Sequence, residues 1–193
     1  MSQKMNTNTK EQILETAEKL TKSLGFDGFS FRDISKEVGV KTSSIHYHFA
    51  TKESLSESLI ERYAAGFVAM LEKIDSENIS GYSKIKQLFT ALLSASGDER
   101  NLCLCGMLSA NVNAIPQKAK ELLDTFFHRM ERWVEKVIEE GIEDGSIHKS
   151  VRARSAAAEI VALMEGAMLL ARVRKNPSYF IDLTDLQLTK LRA

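Results

Sequence analysis

Residues 39–55 read GVKTSSIHYHFATKESL, and their spacing fixes the local geometry. Ile45 and Phe49 are four apart, the separation that puts two side chains on one helical face. Thr42 can cap a short helix over 42–48, and Thr51 can cap the helix that follows. With Ile45 and Phe49 turned inward beside Val38 and Val40, the outward positions are Thr42, Ser43, Ser44, His46 and Tyr47. These are short or planar hydrogen-bonding groups. Lysine and arginine are absent between residues 42 and 51, while Lys41 and Lys52 flank the run.

Upstream, Thr9 is a candidate N-cap with Gln12 reaching back to it, and Ile13, Ala17, Leu20 and Leu24 then line one face until Gly25 stops the helix. After the turn FDGF, Ser30 caps a helix over 31–38 bearing Ile34 and Val38, closed by Gly39. Downstream, Leu55, Leu59, Tyr63, Phe67, Met70 and Ile74 make one long amphipathic helix from Thr51. Further helices are expected over 82–95, 101–113, 116–141, 152–173 and 178–191, with Pro116 and Pro177 at two of the starts and Gly97 and Gly145 in loops. No period-2 run reads as a strand. The expectation is an all-α chain of about nine helices, divided into residues 1–51, a three-helix head, and 52–193, a larger helical domain.

The totals narrow the function classes. Lysine plus arginine equal aspartate plus glutamate at 26 each, so any polyanion must be met by placement of charge and not by its amount. Up to Leu55 there are eight basic residues against seven acidic ones. No stretch approaches the roughly 18 apolar residues of a membrane helix, and a cytoplasmic protein is expected. His46, His48, His128 and His148 are dispersed, and no nucleophile motif or phosphate-cradling glycine loop argues for an enzyme. No cofactor is expected. Cys103 and Cys105, two apart on a helix, point about 200° apart, which disfavours a shared metal. They read as buried thiols, with thiol sensing of electrophiles or oxidants as the alternative.

Helices 31–38 and 42–48, joined by a tight turn at Gly39, form a helix-turn-helix, whose second helix can lie in the major groove while the first crosses the backbone. The run ILETAEKLTKSLGFDGFSFRDISKEVGVKTSSIHYHFATKESL, residues 13–55, resembles the DNA-binding region of the TetR family of bacterial transcriptional repressors. The resemblance implies a helical homodimer in which each head reads half of a palindromic operator. Carried over by position, Lys41, Thr42, Ser43, Ser44, His46 and Tyr47 would form the reading helix. Lys52 would anchor a phosphate, and Arg32 is a further contact candidate. The family usually has tyrosine where this chain has His46, with histidine following. Here the order is His46, Tyr47, His48, which leaves open which ring takes the phosphate.

The resemblance also implies that the larger domain binds an effector and dimerises. Helix 152–173 is rich in small residues, among them Ala158, Ala162 and Gly166, and helix 178–191 presents Phe180, Ile181, Leu183, Leu186 and Leu188. Both suit a symmetric four-helix dimer interface. Tyr63, Phe67, Met70, Phe89, Leu93, Met107, Phe126, Phe127, Met130, Trp133, Met164 and Met168 are candidates to line an adaptable apolar pocket, with Glu165 or Arg172 meeting a polar group of an unknown small effector. The same residues can instead fill a core. A helical enzyme or an adaptor that binds no DNA is the competing class.

Overall fold

The computed structural model describes residues 2–96 and 102–193, and side chains over 9–94 and 102–193. Among these residues nine α-helices and two 3-10 turns form, with one isolated β-bridge and no sheet. No helix of the described residues is long and apolar enough to cross a membrane. The chain forms two compact units, Met1–Ala64 with Leu102–Asp124, and Ala65–Asn101 with Thr125–Ala193. Two long helices, α4 (Lys52–Asp75) and α7 (Gln117–Glu143), contribute to both.

In the first unit α1 runs Ser2–Leu24. It starts earlier than expected, so Thr9 is a helical residue and not a cap. No glycine or proline interrupts residues 2–24, and Asn or Thr in a helix costs under about 0.7 kcal/mol each relative to Ala, too little to end it. A 3-10 turn at Phe26–Gly28 leads to α2 (Phe31–Val38). There the Asp33 carboxylate accepts from the Ser30 backbone N–H at 2.9 Å and from its hydroxyl at 2.7 Å. These bonds hold the Asp33 carboxyl below the ordinary carboxylate range. Gly39, at φ +76°, closes α2 in the left-handed conformation that glycine adopts without a Cβ penalty.

Next, α3 spans Thr42–His48 with Lys41, not Thr42, at its N-cap. Thr42 is the first helical residue, and its hydroxyl donates to Ser35 Oγ at 3.4 Å instead of to the helix start. Thr51 does cap α4: its hydroxyl accepts the Ser54 N–H at 3.2 Å, and its own N–H donates to Ser54 Oγ at 3.3 Å. Ile13, Ala17, Phe26, Ile34, Ile45, Phe49, Leu55 and Leu59 are all buried. The α6 helix, Leu104–Ala110, packs on α1 and is followed by a 3-10 turn at Val112–Ala114. The single helix expected over 101–113 is broken at Asn111, whose side-chain amide donates to Met107 O at 3.1 Å and so competes with the helical ladder. Its expected start at 101, like the Gly97 loop, lies outside the described residues.

The second unit packs α5 (Gly81–Ser96), α8 (Ala153–Arg174), α9 (Ser178–Leu191) and the remaining parts of α4 and α7. Ile85, Leu88, Phe89, Met130, Val134, Val137, Ile138, Ile160 and Met164 are buried in it. Asp75 at the end of α4 accepts the Trp133 indole N–H at 3.1 Å, with the Lys136 ammonium at 3.2 Å. The nearly buried Lys84 pairs with Glu140 at 2.8 Å. The start of α5 has its N–H groups met from a distant loop, Gly81 by Asp144 at 2.8 Å and Tyr82 by Ser146 Oγ at 3.2 Å. A β-bridge pairs Ile147 with Arg192, and His148 N–H donates to Leu191 O at 2.9 Å.

Candidate nucleic-acid interface

The α2–α3 pair is built from inside outward. Ile45 and Phe49, fixed by burial at 0% and 2% exposure, orient α3, and the alternation of that helix then dictates what faces solvent. Lys41, Ser43, His46 and Tyr47 are exposed, and Thr42 and Ser44 are half-buried. Tyr47 keeps 75% of its surface in solvent although it sits between two core residues. Arg32 is exposed in the first turn of α2. Of the set expected to face outward, Ser43, His46 and Tyr47 lie with Lys41 and Arg32 on the outside of two adjacent helices, and Thr42 and Ser44 are partly covered.

The two imidazoles differ. His46 lies edge-on to Phe31 with ring centroids 5.0 Å apart, and its Nδ1 is 3.3 Å from Ala50 O, so the exposed ring is held in place. His48 is half-buried against Tyr47, 5.1 Å between centroids. Burial, and then the nearby Lys10 charge, lowers its proton affinity, so it is neutral at physiological pH and brings no charge to a polyanion.

Lys52, expected to project toward a phosphate, turns inward. Its ammonium donates to Phe26 O and to Phe29 O, the latter at 2.6 Å, and lies 4.8 and 4.4 Å from the two phenyl centroids. The Phe26–Gly28 turn presents carbonyls that no helix satisfies, and a cation with an aliphatic stem meets them. Burial lowers its pKa, with Asp27, Glu53 and Asp33 opposing.

Two cations escaped the sequence reading. Arg62 on α4 donates from Nε to Glu11 and from Nη1 to Glu18 at 2.5 Å, and its Nη2 lies 3.6 Å from Glu15. It braces α1 against α4 within the first unit. Glutamates at 11, 15 and 18 form an acidic stripe at helical spacing, which signals a cation opposite without locating it. The other is Lys10, exposed on α1, with its ammonium 5.8 Å from the Phe49 ring centroid.

The expected effector-pocket residues separate. Tyr63 and Met107 belong to the first unit; Phe67, Phe89, Phe126, Met130, Trp133 and Met164 are buried in the second, where Met70 and Glu165 are half-buried. Phe67 and Phe126 stack with centroids 5.1 Å apart. Cys103 and Cys105 are both buried, no disulfide joins them, and the Tyr63 hydroxyl lies 3.7 Å from Cys103 Sγ.

The family model for bacterial regulatory proteins of the tetR family matches residues 13–59, and that for the tetracyclin repressor-like C-terminal domain matches residues 81–184. The chain is 30% identical over 140 residues to the "probable HTH-type transcriptional regulator YttP" of Bacillus subtilis (strain 168), covering 71% of this chain and 66% of that protein. It is 30% identical over 114 residues to the biofilm operon icaADBC HTH-type negative transcriptional regulator IcaR of Staphylococcus epidermidis, covering 59% of this chain and 60% of that one. A transcriptional regulator of the TetR family from Agrobacterium tumefaciens superposes with a TM-score of 0.92 at 25% identity, over 97% of this chain and 100% of the other. A TetR transcriptional regulator from Legionella pneumophila superposes with a TM-score of 0.85 at 30% identity, over 95% and 97%.

Proposed function

Since the chain belongs to the TetR family of bacterial regulatory proteins, and is a transcriptional regulator and not an enzyme, we propose that it is a repressor whose α3 reads a palindromic operator. Two copies joined through α8 and α9 present one α3 to each half-site, and a small, mostly apolar effector releases them. The observation that carries the DNA-binding part is Tyr47: an aromatic ring 75% exposed, on a helix otherwise anchored by its neighbours, amid hydroxyls and an oriented imidazole. An aromatic ring left in water at that position suits a groove better than a core.

Contacts divide by chemistry. Thr42, Ser43, Ser44, His46 and Tyr47 suit base edges and the thymine methyl; Lys41 and Arg32 suit phosphates. Lys52 has given two of its three N–H donors to carbonyls, so it offers a phosphate one donor from a braced position. The test is selection of bound DNA from random duplexes by the full-length protein. Recovery of a palindrome with half-sites about one helical turn apart is expected, and no enrichment over bulk duplex refutes the reading. On the selected site, Tyr47→Ala is expected to lose roughly tenfold or more in affinity with the oligomeric state unchanged. Wild-type affinity in that variant removes Tyr47 from the interface.

Support for the dimer is the apolar surface that one protomer leaves in water: Leu169, Leu170 and Val173 on α8, Ile181 and Leu186 on α9. The effector is proposed from Phe67, Phe126, Met130, Trp133 and Met164, aromatic and methionine side chains buried in the second unit and able to re-pack around a guest. A rise in melting temperature on adding a hydrophobic metabolite is the expected sign, and none across a broad panel argues against it. Burial of both cysteines supports apolar packing for them rather than sensing.

A further inference from the structure

A duplex presents about one phosphate per 1.7 Å of axis when both strands are counted, yet α3 carries no lysine or arginine of its own and Lys52 is engaged by carbonyls. Lys41, exposed at the N-cap, supplies charge at one end of α3. The other end borrows from a different helix. The Lys10 ammonium on α1 lies 5.8 Å from the ring of Phe49, the residue that caps the C-terminus of α3. His48 stands 6.4 Å from Phe49 and 5.1 Å from Tyr47, ring to ring, so a run of ring contacts leads from Lys10 through the buried Phe49 and the half-buried His48 to the exposed Tyr47. We propose that Lys10 is a phosphate-contacting residue, supplying from α1 the positive charge that α3 lacks beside Tyr47.

The Lys10 side chain is exposed. An exposed ammonium 5.8 Å from the centroid of a buried ring gains at most about 1 kcal/mol from it, so it is readily given up to a phosphate oxygen. His48, neutral through burial and the Lys10 charge, does not compete for the anion as a second cation. Lys10 would act on affinity and not on sequence choice, because phosphates carry no base identity.

The inference rests on the DNA-binding reading above, and the test separates the two. Full-length wild type, Lys10→Gln, Lys10→Arg and Lys19→Gln are titrated with the selected operator and with scrambled duplex over a range of salt. Lys19 is the control: it is exposed, pairs with Glu37 at 2.6 Å, and lies roughly 13 Å further along α1. Lys10→Gln is expected to weaken both duplexes by a similar factor, roughly tenfold near physiological salt. The slope of log affinity against log salt should shrink by about two for a dimer, near 0.9 for each lost contact. Lys10→Arg restores both, Lys19→Gln changes neither, and all melt like wild type. A slope that Lys10→Gln leaves intact, or that Lys19→Gln lowers as much, overturns the assignment while the DNA-binding reading stands. Wild type that selects no duplex overturns both.

Discussion

Glutamate at both Leu169 and Val173 is expected to turn the proposed dimer into well-folded monomers and to weaken operator binding by roughly 10²- to 10⁴-fold. Val173 is 80% exposed and Leu169 50% exposed in one protomer, so two charges there stay in water and cost the protomer little. In the proposed symmetric pair the same positions would meet their copies, and burying unpaired carboxylates costs several kcal/mol. The outward positions of α8 run 158, 162, 166, 169 and 173, with Ala158 and Ala162 exposed and Gly166 half-buried, so small residues give way to large ones along a single stripe. Losing the partner makes each half-site bind alone, which forfeits the effective concentration that links them. Gly166 sharpens the test. A Cβ there meets nothing within 4 Å, so Gly166→Leu should favour the isolated helix by about 0.5–1 kcal/mol while obstructing close approach of a second α8. Light scattering with chromatography reads the mass, and an undiminished dimer in the double glutamate variant would place the interface elsewhere.

The largest loss of stability is expected from a single methyl at Gly81. A Cβ on that residue would stand 2.4 Å from Gly141 N and 2.5 Å from both Gly141 Cα and Val137 O. All three are backbone atoms of α7, and none can rotate aside. Gly81→Ala must therefore lift the start of α5 off α7, stretching the Gly81 N–H bond to Asp144 and the Tyr82 N–H bond to Ser146. Overpacking of this kind costs up to about 3 kcal/mol, a fall in melting temperature of roughly 6–12 °C for a chain of this size. Gly39→Ala makes a useful contrast. It meets no atom within 4 Å and pays only for its positive φ, about 1 kcal/mol. Equal melting temperatures for the two variants would mean that α5 is free to shift, contrary to the close approach seen here.

The helices were largely legible because local spacing and caps determine them. The expected 31–38, 42–48 and 178–191 coincide with α2, α3 and α9, and Ser30 and Thr51 open their helices as anticipated. Local rules failed where several weak signals compete. Thr9 looks like a cap, but nothing upstream stops the helix, and Thr42 spends its hydroxyl on Ser35. At Asn111 a side-chain amide takes a carbonyl from the ladder that apolar spacing suggested would continue. On the candidate interface, residue types and outward positions could be read, because two buried anchors on a short helix dictate the rest. What each cation does could not. Lys52 meets carbonyls of Phe26 and Phe29, and Arg62 meets glutamates 44 to 51 positions away. Lys10 stands beside Phe49 through tertiary packing alone. The sequence carries the charges; folding chooses their partners.

The bridge between Ile147 and Arg192, with the His148 to Leu191 bond beside it, ties the segment before α8 to the end of α9. The short connection through Lys175 and Pro177 ties the opposite ends. A helical hairpin stapled at both ends cannot unzip from its tail without first surrendering that clasp. Its amide protons should therefore trade for deuterium in one shared opening event rather than fraying turn by turn. The two helices would then lose or keep their apolar outer surface together, and distinct exchange rates for them would show the clasp to be idle.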